Sequence, residues 1–145
     1  MSTLLFRNAR IFDGKSDKCP DGMSVLVEGN LIREVSDGPV KSKNARVIDV
    51  GGRTLMPGLI DAHMHAYASD VNMFKVESSG TAYRTAHAVK MLGFQLDCGF
   101  TTVRDIGGGD YSLAKAISDG LIRAPRFLYA GKVLSMTGGH GDMRK

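Results

Sequence analysis

The stretch Thr54-Leu55-Met56-Pro57-Gly58-Leu59-Ile60-Asp61-Ala62-His63-Met64-His65-Ala66 runs an apolar segment straight into two histidines one residue apart. Side chains along a β-strand alternate faces with a period of two, so His63 and His65 point the same way and both imidazoles can reach one metal ion. Imidazole nitrogen is a common ligand for zinc, and a catalytic zinc takes about three protein ligands plus an open position. Two histidines therefore make half a site. The plainer reading of the pair is two strand histidines hydrogen-bonded in a core or turned to solvent. Context favours the ligand reading: Met56-Pro57-Gly58 breaks the chain, Leu59-Ile60 opens a short apolar strand, and Asp61 adds a carboxylate just upstream.

Length and composition exclude several classes. With 145 residues, 43% of them apolar and 23% charged, the chain has the make-up of a soluble globular domain. No apolar run approaches the roughly 20 residues needed to span a bilayer. Arg7, Asn8 and Arg10 interrupt the N-terminal apolar residues too early for a secretory signal, so the expected location is cytoplasmic. Cys19 and Cys98 are far apart and outside any CxxC arrangement, which argues against a disulfide framework or a cysteine zinc site; Cys98, beside Gly99, reads as a helix-end packing residue. The net charge of +4 is scattered along the chain, without the basic stripe and interleaved aromatics of a nucleic-acid binder.

Residues 4–12 are rich in strand formers and close on Asp13-Gly14. Met23–Glu28 and Leu31–Val35 flank Gly29-Asn30, a dipeptide suited to a tight hairpin, and Ala45–Val50 and Arg53–Met56 flank Gly51-Gly52 with the same logic. Residues 1–56 are thus expected to be all β, and a sheet of that size needs something to cover its apolar face. After the histidines, strand and helix patterns alternate, as in a parallel sheet with crossover helices. Residues 67–80 read as a long polar loop. A helix is expected over 81–98, with Ala82, Ala86, Val89, Leu92 and Leu96 on one face and Gly99 as its C-terminal cap. His87 lies inside it without a partner motif and is read as a structural histidine. A strand over 100–105 follows, then Gly107-Gly108-Gly109 as a flexible loop, a helix carrying Leu113, Ala116, Ile117 and Leu121, and a strand over 126–131.

Pro57, Gly58, Asp61, His63 and His65 match a PG-apolar-apolar-D-x-H-x-H signature, and with Gly99–Asp105 (GFTTVRD) and Thr137–Asp142 (TGGHGD) the sequence resembles the amidohydrolase superfamily, its imidazolonepropionase-like and Xaa-Pro dipeptidase-like branch. The resemblance runs across nearly the whole chain. It implies an α/β fold in which residues 1–56 are the N-terminal portion of a small β-sandwich and 57–145 the first βα units of an incomplete TIM-like (β/α)8 barrel. It also implies His63 and His65 as metal ligands, zinc above all, in a site of one or two ions. Asp105 then falls at the C-terminal end of the second barrel strand and His140 just past the third, the face where barrel enzymes place their chemistry. Both are candidate substrate-binding residues. For Asp105 a strand-end turn carboxylate or ion-pair partner stays open as an alternative. For His140 the alternative is a loop histidine, although Gly138, Gly139 and Gly141 let backbone approach a ligand closely.

The activity this implies is hydrolysis of a C–N bond in an amide, lactam or dipeptide by a metal-activated water. The partner is a small-molecule or dipeptide substrate, with no nucleic acid and no membrane. A complete barrel takes about 250 residues, so the 145 residues are expected to act with further polypeptide, a complementing chain or a second copy. Two alternatives remain open at this level: a catalytically incomplete binding or assembly module, and a deaminase acting on a cyclic amidine.

Overall fold

The computed structural model describes residues 2–139 and 141–142. The chain divides into two compact units, Met1–Pro57 and Gly58–Lys145.

In the first unit β1 (Thr3–Ile11), β2 (Met23–Glu28), β3 (Leu31–Ser36), β4 (Arg46–Asp49) and β5 (Thr54–Leu55) form one sheet in the order β3-β2-β1-β4, with β5 also on β1. The β2–β3 hairpin forms as the sequence predicts, and only Gly29 takes a positive φ, 61°, as a turn with glycine at its first central position requires. The second expected hairpin does not form. Arg53 N–H does donate to the Val50 carbonyl at 3.2 Å, closing a turn at Gly51-Gly52. Yet β4 and β5 both pair with β1, each in parallel. The turn is a side-step within one continuous run: β1 has a register shift between Phe6 and Ala9, with Asn8 at φ 56°, and Gly52 N–H meets the Asn8 carbonyl at 2.7 Å. From Arg7 to Arg10 β1 advances three residues while the run beside it advances five, from Asp49 to Thr54, and the Gly51-Gly52 turn takes up the excess. Leu5 and Leu26, paired across β1 and β2, are buried with Val40. On the other face Phe6, Val25, Ile32, Val35, Leu55 and Met56 line an apolar cleft of about 240 Å³.

In the second unit β6 (Leu59–Met64), β7 (Phe100–Asp105) and β8 (Arg126–Tyr129) form a parallel sheet in that order. Gly58 leads into it because a Cβ there would overlap the Thr101 side chain. The expected loop 67–80 contains α1 (Met73–Ser78), capped by Asn72 Oδ1 accepting from Phe74 N–H and anchored by buried Val76. A helix this short carries little periodic signal. Next comes α2 (Thr81–Asp97), with Gly99 past its end at φ 92°. Its buried face runs through Ala88 and Leu92; Ala82, Ala86 and Val89 of the expected stripe are exposed, as is Cys98. Between β7 and β8 lies α3 (Tyr111–Ser118), capped by Asp110 Oδ1 accepting from Leu113 N–H, and it stops short of exposed Leu121. Met64, Ala66, Ala88, Leu92, Val103 and Leu113 form the core. Among the described residues no helix is long and apolar enough to cross a membrane.

Candidate metal centre

His63 lies near the end of β6 and His65 one residue beyond it. Between Asp61 and Met64 the strand advances three residues while β7 advances two, from Val103 to Asp105. This local bulge re-aims the side chains that follow, and Arg104 Nε donates to the Ala62 carbonyl there at 2.8 Å. The two imidazoles sit edge to face with ring centroids 5.8 Å apart, both residues exposed.

Each histidine is held by a hydrogen bond, His63 at its backbone N–H and His65 at its ring. Asp61 Oδ1 accepts from His63 N–H at 3.0 Å, while its Oδ2 accepts from Gln95 Nε2 of α2 at 3.2 Å. His65 Nδ1 lies 2.8 Å from the Gly107 carbonyl oxygen. A carbonyl only accepts, so Nδ1 donates this bond and, in the neutral ring, Nε2 is the nitrogen with the free lone pair, the arrangement of a metal-ligating imidazole. This donor chemistry fits a divalent ion at Nε2 of His65 with His63 beside it. Among the described residues no group of three or more His, Cys, Asp or Glu converges to hold a metal.

Asp105 stands where the sequence puts it, at the end of β7, but it is fully buried. Its Oδ2 accepts from Ala66 N–H at 2.7 Å, and its Oδ1 from Gly107 N–H at 2.8 Å and Gly109 N–H at 3.1 Å. The expectation of a substrate contact is corrected: a carboxylate with no exposed surface and three backbone donors holds the protein's own chain. The same bonds correct the reading of Gly107-Gly108-Gly109 as flexible. Gly107 and Gly109 are buried, and a Cβ on Gly109 would stand 2.8 Å from the Asp105 carboxyl carbon and 2.7 Å from Phe127 Cζ. His140 lies outside the described residues. Near the pair, burial pushes the Tyr67 hydroxyl above its ordinary value, with the negative charges of Asp110 and Asp105 adding to the shift against a hydrogen bond with Thr85.

The sequence reading missed the Gly107 carbonyl and Gln95. The first had a signal, since glycines directly after a strand-end carboxylate are suited to close backbone approach. Gln95 had none, because its role depends on how α2 lies on β6.

Residues 54–145 match the amidohydrolase family. The chain belongs to that family. The ochratoxinase of Aspergillus niger is 40% identical over 93 residues, covering 61% of this chain and 19% of that protein. The crystal structure of an amidohydrolase superposes with a TM-score of 0.93 at 45% identity over 99% of this chain and 35% of its own. A prolidase complexed with N-methylphosphonate-L-proline gives a TM-score of 0.93 at 38% identity, over 99% of this chain and 35% of that one. The chain thus spans about a third of these family structures and about a fifth of the ochratoxinase.

Proposed function

We propose that this amidohydrolase chain contributes the first two metal ligands of a hydrolase that cleaves C–N bonds in amide-, lactam- or dipeptide-like small molecules. The observation that carries the reading is the pairing of His63 with a His65 whose Nδ1–H is committed to Gly107, leaving Nε2 for a metal. His63 and His65 would hold a divalent ion, zinc for preference. Bound there, such an ion supplies Lewis acidity toward a scissile carbonyl and lowers the pKa of water. The chain's own part is to fix the His63 backbone through Asp61 and to aim the His65 ring through Gly107. The remaining ligands and the proton-transfer group belong to polypeptide beyond these residues.

In the same reading, residues 1–56 are the opening portion of a small β-sandwich and 57–145 the first βα units of a (β/α)8 barrel, with His140 a substrate-side residue on a glycine loop. The resemblance to a prolidase and to ochratoxinase favours an amide-like bond over a ring amidine. The test is made on the intact protein that carries this chain: divalent-metal content, and hydrolysis of a panel of dipeptides and N-acyl amino acids. His63→Ala and His65→Ala are each expected to lose bound zinc and all detectable hydrolysis. A wild-type protein without any divalent metal, or variants that keep full activity, would refute the proposal.

A further inference from the structure

Asp105 is a buried carboxylate, and among the described residues its hydrogen-bond partners are the backbone N–H groups of Ala66, Gly107 and Gly109. Keeping a carboxylate away from water is costly unless its hydrogen bonds are complete, so its place in the core calls for a reason. Two of those bonds supply one. Ala66 directly follows His65 in the chain, and Gly107 carries the carbonyl that accepts the His65 Nδ1–H. One carboxylate therefore fixes the backbone beneath the imidazole and the peptide that faces its ring.

The rest of the turn leaves that carbonyl no second position. Ile106 N–H donates to the Met64 carbonyl at 3.1 Å, and Gly108 N–H to the Gly131 carbonyl at 2.8 Å, so the turn is tied to the ends of both neighbouring strands. A Cβ on Gly107 would overlap Val133 and lie 3.7 Å from His65 Cε1. Val133, and not the ring, is what a side chain at this position would collide with.

We infer that Asp105 is a positioning residue, which sets the tautomer and aim of His65 through the Gly107 peptide. This deepens the metal-binding reading above and rests on it. The experiment uses the intact, metal-free protein labelled with 15N-histidine, with the His65 resonances assigned by their loss in His65→Gln. Long-range proton–nitrogen correlation then reads which ring nitrogen is protonated. In the wild type it is Nδ1. Asp105→Asn keeps the size but replaces one acceptor oxygen by a donor, so either the Ala66 N–H or the Gly107 and Gly109 N–H groups lose their partner. His65 is then expected to populate the Nε2–H form, and zinc affinity to fall about 10- to 100-fold, as for loss of other outer partners of metal-ligating histidines. Leu92→Ala, which hollows the same core without touching the turn, is expected to lower stability while leaving tautomer and affinity in place.

An Nε2-protonated His65 in the wild type overturns the inference, as does Asp105→Asn with wild-type tautomer and affinity. Should Asp105→Asn not fold, the wild-type tautomer decides. A wild type that binds no divalent metal refutes the proposed function instead, and leaves the tautomer measurement standing on its own.

Discussion

The two units bury different things. In the Met1–Pro57 unit the fully buried groups are apolar apart from Ser24, and one sheet face stays open, with Ile32 69% and Val35 51% exposed. That sheet is held by its ladder and by the small cluster of Leu5, Leu26 and Val40. The Gly58–Lys145 unit has a larger apolar core and, within it, a carboxylate at 0% exposure. The contrast teaches where polar burial is spent. In the first unit the backbone needs only to pair; in the second, one turn must hold a carbonyl against an imidazole.

The strongest way to break the comparison is Asp105→Ala, which strands three N–H groups. It should destabilise the second unit by about 4–5 kcal/mol, against less than about 1 kcal/mol for Ser24→Ala in the first. Denaturant unfolding of the intact protein measures both, and equal costs would erase the distinction. Next come the apolar centres: Leu92→Ala should cost about 3–4 kcal/mol and Leu5→Ala, in the smaller cluster, about 2–3 kcal/mol. The reverse order would mean that the first unit has the tighter core. Ile32→Ser tests the open face and should stay within about 0.5 kcal/mol if that face remains in water. A larger loss would show that the intact protein covers it.

The smallest effect concerns pH. Hydrogen bonds from Ser16 and then Lys15 backbone N–H hold the Asp13 carboxyl below its ordinary value. The stabilisation of the 13–16 turn is therefore complete above the unfolded pKa of about 4 and fades as pH falls through the lower folded value. The protection factors of the Lys15 and Ser16 amides, taken against the intrinsic exchange rate at each pH, should fall over that interval, while the β2–β3 ladder keeps its protection.

Much of this was legible in sequence where the signal is local. The strands, the Gly29 hairpin, α2 with its Gly99 stop and the shared side of His63 and His65 all follow from periodicities within a few residues. What was not legible is decided by what lies alongside. Gly51-Gly52 makes a turn whether its flanks pair with each other or with β1, and only the bulge at Asn8 selects β1. The buried stripe of α2 differs from the periodic one because alanines fit either face. Sequence leaves Asp105 open between a substrate contact and a strand-end turn carboxylate, because the Ala66 and Gly109 N–H groups that enclose it lie outside its strand and a carboxylate at a strand end does not reveal them.

The turn after β7 has a consequence for how such a protein diversifies. Every N–H from Ile106 to Gly109 is already committed, to Met64, Asp105, Gly131 and Asp105 in turn. An inserted residue would have to undo several of these bonds at once, beside the ring they serve. In a directed-evolution library this loop is therefore the one to leave at fixed length. The 67–80 segment, tied down chiefly by one short capped helix and Val76, is where added length can be accommodated.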